Sequence, residues 1–370
     1  MRIFIPTYTG SHKIVSLSLD TKTKEDLLSE KVLFWHVENN SITEYPSGQA
    51  IIVRDKNIIL SFKQCNNYDI FEVGNNGIAY RCYDDSSNEN LFFVTGKCNS
   101  NCVMCPSPEN MRRRGEAAEI DRLIEVAGHI PSDTSHLTIT GGEPFLAGRD
   151  IFRLLDYCKH KFTRTEFLIL TNGRVFVLNE YCTLLRNTIP ENTTLGVPIH
   201  GSVAALHDAI TQAPGSFQQT IIGLKRLHDM GIKIEIRIVV CKNNVSDMEN
   251  ISSLILKMFP KSGRVSIMAM EMTGSAYMNR ENVWIPYSSS FRYVKDAIKT
   301  LTAGGVNVVL FNFPLCTVEK KYWTLCAKSI SGYKVRYAPV CSNCMVRDSC
   351  GGVFAGTLHF EEADLKPVRI

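Results

Sequence analysis

Cys98, Cys102 and Cys105 stand in C-x3-C-x2-C spacing between a strand-like stretch and a helix. Three thiolates converging from one short loop can hold three corners of a [4Fe-4S] cube, because such clusters take cysteine sulfur at compact, loop-compatible spacings. One iron is then left without a protein ligand, and an open iron offers a place to a small molecule that coordinates through nitrogen and oxygen. The pattern points to chemistry rather than to electron storage. Zinc is the weaker reading, since structural zinc demands four ligands and often pairs C-x2-C knuckles.

Cys341, Cys344 and Cys350 form a second set, C-x2-C-x5-C, and Cys316 upstream can supply a fourth thiolate. Four such ligands suit either an auxiliary [4Fe-4S] cluster or a four-cysteine zinc site, and spacing leaves both open. Cys326 is a spare that could replace Cys316 or lie buried. Cys65, Cys82, Cys158, Cys182 and Cys241 stand singly in apolar or mixed surroundings and read as core residues. No N-terminal stretch combines a basic start, an apolar run and a small-residue cleavage site, so a cytoplasmic protein without a membrane span is expected. There, 13 cysteines read as metal ligands and small hydrophobes rather than as a disulfide framework.

The elements that must position these residues change character along the 370-residue chain. Residues 1–88 carry short β-branched or alternating segments, among them Ile14 to Leu19, Ala50 to Val53 and Asn57 to Phe62, and read as a β-rich N-terminal domain. Residues 89–275 alternate strand-like and helix-like segments. Strands are expected near Leu91 to Val94, His136 to Thr140, Phe167 to Leu170, Leu195 to Ile199, Ile234 to Val240 and Val265 to Met270, with helices over Glu119 to Ile130, Ile151 to Lys161, Glu180 to Asn187, Phe217 to Met230 and Met248 to Met258. About six β/α units imply an α/β fold with a parallel sheet, a partial (β/α)6 barrel, with a doubly wound open sheet as the alternative. Residues 276–370 form a cysteine-rich C-terminal region.

Either fold puts the site at the carboxyl ends of the strands. Gly141, Gly142, Glu143 and Pro144 follow the second strand, Thr171 and Asn172 the third, His200 the fourth and Glu271 the sixth, while Arg237 lies within the fifth. The glycine pair lets the backbone turn tightly and approach a ligand. Thr171 and Asn172 suit ribose hydroxyls, and His200 could hydrogen-bond substrate or cofactor. Arg237 shares a strand face with Glu235, and a buried guanidinium needs an anion, which Glu235 or Glu271 could supply. Arg112-Arg113-Arg114 reads first as a solvated loop, and its position beside the proposed cofactor keeps a phosphate clamp as the alternative.

The cysteine triplet followed by Gly-Gly-Glu-Pro one β/α unit later resembles the radical S-adenosylmethionine (SAM) superfamily over residues 90 to 275. The resemblance implies that Cys98, Cys102 and Cys105 ligate a [4Fe-4S] cluster, that SAM binds the open iron, and that its reductive cleavage yields a 5′-deoxyadenosyl radical that abstracts hydrogen. It also implies that Glu143 and nearby carbonyls hold the methionine amino group, and Arg237 its carboxylate. The cysteines at 316, 341, 344 and 350 look like the auxiliary-cluster regions of peptide-modifying members. Met270 to Ala276, Pro314-Leu315-Cys316, Ser329-Ile330-Ser331 and Cys350 to Phe354 are similar to the His-Xaa-Ser-system maturases of the HxsC type. Met272, where proline is expected, and Cys326 depart from that pattern.

That resemblance implies a ribosomally made peptide as substrate, with His-Xaa-Ser repeats, a partner radical SAM protein, and an electron donor such as flavodoxin or ferredoxin. The β-rich domain could dock the peptide by strand addition. A second reading keeps the radical chemistry but acts on a small nucleotide or RNA; a net charge of +4 with one compact basic run argues against nucleic acid. A third is an inactive cluster- or zinc-binding partner of another radical SAM protein.

Overall fold

The computed structural model describes residues 1–5, 12–27, 31–36, 38–45, 47–117, 119–260 and 262–369. Its N-terminal part is a seven-stranded sheet of β1 (Arg2–Phe4), β2 (Lys13–Ser18), β3 (Val32–His36), β4 (Ser41–Tyr45), β5 (Ala50–Ile52), β6 (Ile70–Val73) and β7 (Ile78–Tyr83), in the order β1-β7-β6-β2-β3-β4-β5. All its pairings are antiparallel except β2 with β3.

One segment read as strand-like is a helix, Lys56–Phe62. The Asp55 side chain accepts the Asn57 N–H at 2.7 Å and starts the helix, and Ile58 and Phe62, four residues apart, turn into the core. Phe62 stacks on Trp35 with ring centroids 4.7 Å apart. The β-branched pair Ile58-Ile59 favours a strand locally, and tertiary packing overrides it.

The other face of this sheet meets the rest of the molecule. Ile14, Ile70 and Tyr83 join the main hydrophobic core. Ser16 Oγ lies 2.9 Å from His129 Nδ1, and Glu72 pairs with Arg122, so both contacts reach the helix Ile120–His129.

That helix belongs to a second, eight-stranded sheet: β8 (Leu91–Phe93), β9 (His136–Thr140), β10 (Glu166–Leu170), β11 (Thr193–Pro198), β12 (Lys233–Val239), β13 (Arg264–Met268), β14 (Val308–Phe311) and β15 (Cys326–Ala327). Every pairing is parallel, and spatial order follows chain order. Right-handed crossovers that always step to the next strand put all helices on one face, whereas a doubly wound sheet must reverse direction. The result is a curled half-barrel. The six strands anticipated from the sequence are present, and β14 and β15 extend the sheet beyond them.

Strand chemistry follows the two faces. On β12, Ile234, Ile236 and Ile238 are at most 3% exposed beneath the helices, each contributing about 1.5–3 kcal/mol by burial, while Lys233, Glu235 and Arg237 face the other way. The helix Ser216–Asp229 packs directly on the turn after β10: a Cβ on Gly223 would collide with the Gly173 carbonyl. The helix Tyr287–Ala303 follows β13 and leads to β14. Beyond β15, Val335–Arg336 and Val353–Phe354 pair antiparallel in the cysteine-rich tail.

Candidate functional site

The loop after β8 is fastened from three sides. Arg112 O accepts the Cys98 N–H at 3.3 Å; Thr211 O and Ile210 O accept the Asn101 and Val103 N–H groups, each at 2.9 Å. From beyond β13, Ser275 N–H donates to Cys105 O and Asn279 Nδ2 to Val103 O, both at 2.9 Å. Cys98, Cys102 and Cys105 thereby face one cavity of about 260 Å³ at the carboxyl ends of the strands. Met104, Met270, Met272 and Cys241 belong to an apolar cluster against which Cys102 and Val103 of the loop pack.

Burial pushes the Cys98 thiol up to about 11 and the Cys102 thiol up to about 12, with the Arg112 guanidinium opposing the rise at both. Sulfurs so placed are thiols near neutral pH unless a metal takes the proton's place. Among the described residues, no three His, Cys, Asp or Glu side chains are gathered as ligands of one metal ion. A cube binds each thiolate at a different iron, which spreads its cysteines wider than the ligands of a single ion. Three free cysteines on one loop, facing one cavity, fit such a cluster.

Gly141 and Gly142 line this cavity, and both are fixed by a neighbour: an added Cβ would strike the Thr95 carbonyl from the first and the Lys97 carbonyl from the second. Gly142 N–H donates to Thr95 O and Glu143 N–H to Lys97 O, each at 2.8 Å, so the two loops lie backbone to backbone.

Glu143 and Pro144 lie outside the cavity wall. The Glu143 carboxylate instead accepts the N–H of Asn172 at 2.7 Å, the N–H of Phe145 at 3.1 Å and the Thr171 hydroxyl at 2.9 Å. It is 1% exposed, and burial pushes it up to about 6 against those donors. This side chain joins two turns, the one after β9 and the one after β10.

Thr171 and Asn172 do line the cavity, and Asn172 Nδ2 donates to Asn99 Oδ1 at 2.6 Å. Arg237 lines it too, while its Nη1 bonds Glu235 Oε1 at 2.9 Å; Arg264 holds the other Glu235 oxygen at 2.5 Å. Burial pushes the Glu235 carboxyl up, but the two guanidiniums outweigh it and hold it below the usual range. Glu271 lies outside the wall and pairs with Lys334 at 3.2 Å.

His200 is 4% exposed and its Nδ1 has no partner. Its backbone N–H donates to His207 Nδ1 at 3.2 Å, which leaves the His207 proton on Nε2. Burial pushes His200 down to about 3 and His207 to about 4, so both imidazoles are neutral.

Two further arginines, Arg174 and Arg112, line the cavity, and only Arg174 went unmarked in the sequence. Arg174 donates to Asn99 O at 2.6 Å, Ser100 Oγ at 3.0 Å and Gln219 Oε1 at 2.7 Å. Its place one residue beyond Thr171-Asn172-Gly173 was the available signal. Arg112, expected in solvent, is 4% exposed, while Arg113 and Arg114 stay outside.

Cys316, Cys341, Cys344 and Cys350 line one small pocket, and Cys326 does not, its sulfur pointing to Tyr322 O at 3.8 Å. Backbone N–H groups of Leu315 and Gly352 donate to Cys350 Sγ and that of Val368 to Cys344 Sγ, each at 3.4 Å, as suits sulfurs that carry negative charge. Of the single cysteines, Cys65, Cys158 and Cys241 are buried, and Cys82 and Cys182 pack against the core.

Residues 92–255 match the model of the radical SAM superfamily. This stretch is a radical SAM domain. The chain is 26% identical over 162 residues to an AdoMet-dependent heme synthase of Nitratidesulfovibrio vulgaris, covering 44% of this chain and 42% of that protein. It is 26% identical over 236 residues to the antilisterial bacteriocin subtilosin biosynthesis protein AlbA of Bacillus subtilis, covering 63% of this chain and 50% of that one. The chain thus spans about half the length of the curated relatives it matches. The structure of SuiB from Streptococcus suis has the same fold, with a TM-score of 0.50 at 14% identity over 81% of this chain and 74% of that one. No described helix of the radical SAM domain or its extensions is long and apolar enough to cross a membrane.

Proposed function

We propose that the chain is a radical SAM enzyme that modifies a ribosomally made peptide, with Cys98, Cys102 and Cys105 as the ligands of its [4Fe-4S] cluster. The observation that carries this reading is the convergence of those cysteines with Gly141, Thr171, His200 and Arg237 on one cavity at successive strand ends. Bound there, cluster and SAM would supply an electron transfer that yields methionine and a carbon radical able to take hydrogen from a substrate.

The chain's own residues do the rest. Arg237, steadied by Glu235, offers its remaining donors to the SAM carboxylate. Thr171 and Asn172 present polar atoms to the ribose, and the neutral His200 lines the same wall. Leu170, Pro198 and Val239 give the cavity apolar wall that keeps water from a reactive carbon.

The four cysteines of the second pocket suit an auxiliary [4Fe-4S] cluster, with zinc as the competing metal. Kinship with AlbA, a bacteriocin biosynthesis protein, supports a peptide substrate, and the narrower assignment to a peptide with His-Xaa-Ser repeats rests on the motifs alone. A nucleotide substrate gains nothing from the basic run, whose first arginine is buried.

Anaerobic reconstitution with iron and sulfide, then dithionite and SAM, tests the proposal: 5′-deoxyadenosine is expected by chromatography and is lost in Cys102→Ala. Protein that binds iron and SAM yet yields no 5′-deoxyadenosine would instead support the inactive-partner reading.

A further inference from the structure

Arg112 presents a charge without a counter-charge. A guanidinium stays protonated at any ordinary pH, and burying it is costly unless an anion faces it. Arg112 is 4% exposed, yet among the described residues its partners are all neutral: the Ser107 carbonyl at Nη1, and Asn101 Oδ1 at 2.5 Å with Ser275 Oγ at 2.8 Å at Nη2. Its Nε is buried and bonded to nothing.

The nearby carboxylates are engaged elsewhere. Glu109, one turn back, pairs with Arg113 at 2.8 Å. Glu143 is bonded to Asn172, Phe145 and Thr171. Meanwhile Arg112 lines the same cavity as the three cysteines, and its own carbonyl holds the Cys98 N–H. A cube in its oxidised state with three thiolates carries one net negative charge, and uptake of an electron adds a second.

We propose that Arg112 is the counter-cation of the cluster held by Cys98, Cys102 and Cys105, and that its charge favours the reduced form. The inference rests on the cluster reading above and adds to it a residue that sets redox poise. Positive charge beside the cluster raises its reduction potential, so neutralising Arg112 lowers it. The side chain acts through its charge and not through contact with substrate.

The test is an EPR-monitored redox titration of the reconstituted protein, with the Cys98→Ala/Cys102→Ala/Cys105→Ala variant marking any signal from the second cysteine set. Arg112→Gln should shift the midpoint potential downward, and Arg112→Lys should stay near the parent value. Ser275→Asp leaves Arg112 in place and sets a carboxylate against its Nη2; it should shift the potential in the same direction as Arg112→Gln. If Arg112→Gln takes up no iron, Ser275→Asp decides alone. Iron-loaded Arg112→Gln or Ser275→Asp protein at the parent potential overturns the assignment. Parent protein with no signal beyond that of the triple variant overturns the cluster reading itself, and the counter-charge with it.

Discussion

Glu143 accepts the backbone N–H of Asn172 at 2.7 Å, so one buried carboxylate joins the turn after β9 to the turn after β10. Both turns contribute to the cavity wall, and the joint is internal to the protein. Burial raises Glu143 to about 6, above its value in an unfolded chain. A carboxyl raised on folding contributes stability that is complete at low pH and is lost as pH climbs through its folded value. The stability of the parent relative to Glu143→Gln should therefore fall by on the order of 2 kcal/mol between about pH 4.5 and 6.5. Denaturant melts of both proteins across that range check it; parallel curves would sink the idea.

The two cysteine sets should load independently. Cys341→Ala should lose the metal of the second pocket and keep that of the first, and Cys326→Ala should lose none, because only the former lines the second pocket. Elemental analysis for iron and zinc reads the result and names the metal. Loss of metal in Cys326→Ala would return that residue to the ligand set.

Arg237 offers a way to separate cofactor ends. Arg237→Met should weaken binding of S-adenosylhomocysteine roughly 10- to 100-fold, the equivalent of losing a charged hydrogen bond of about 1.5–3 kcal/mol. Binding of 5′-methylthioadenosine, which has no carboxylate, should stay unchanged. Calorimetry of both ligands is the measurement, and equal weakening would mean that Arg237 only supports the strand.

Glu361 caps the long helix Tyr287–Ala303 from a distant part of the chain, accepting the Tyr287 N–H at 3.1 Å. Burial pushes its carboxyl up to about 8. Its stabilising contribution is present in acid and is lost as pH rises through that value. Glu361→Gln keeps an acceptor and cannot ionise, so its Tm should decline less than the parent's between about pH 6 and 9. A steeper decline in the variant would contradict the assignment.

Much of the half-barrel was legible because its patterns are local. The strand His136–Thr140 and the helices Ile151–Lys161 and Met248–Met258 have the bounds their periodicity suggested. The strands β14 and β15 were not anticipated, because four- and two-residue strands carry too few positions for a period to register. The candidate site divides along the same line. Spacing identified the cysteines and the glycine pair, but the inward turn of Arg112 depends on Ser275, 163 residues away, and a three-arginine run contains no trace of that contact. Glu143 stands in the turn its motif marks, but its donors Asn172 and Thr171 come from the next strand end, which no local pattern shows.

The short strand β15 has a further effect. It lays the cysteine-rich tail along β14, where Leu310 pairs with Cys326 and Phe311 with Ala327, and two residues make a poor template for any other chain. At the opposite margin β8 pairs only with β9, and its Leu91 and Phe93 are 47% and 42% exposed. The half-barrel is thus blunted on one side, while on the other an edge strand with exposed apolar side chains leads straight into the cysteine loop.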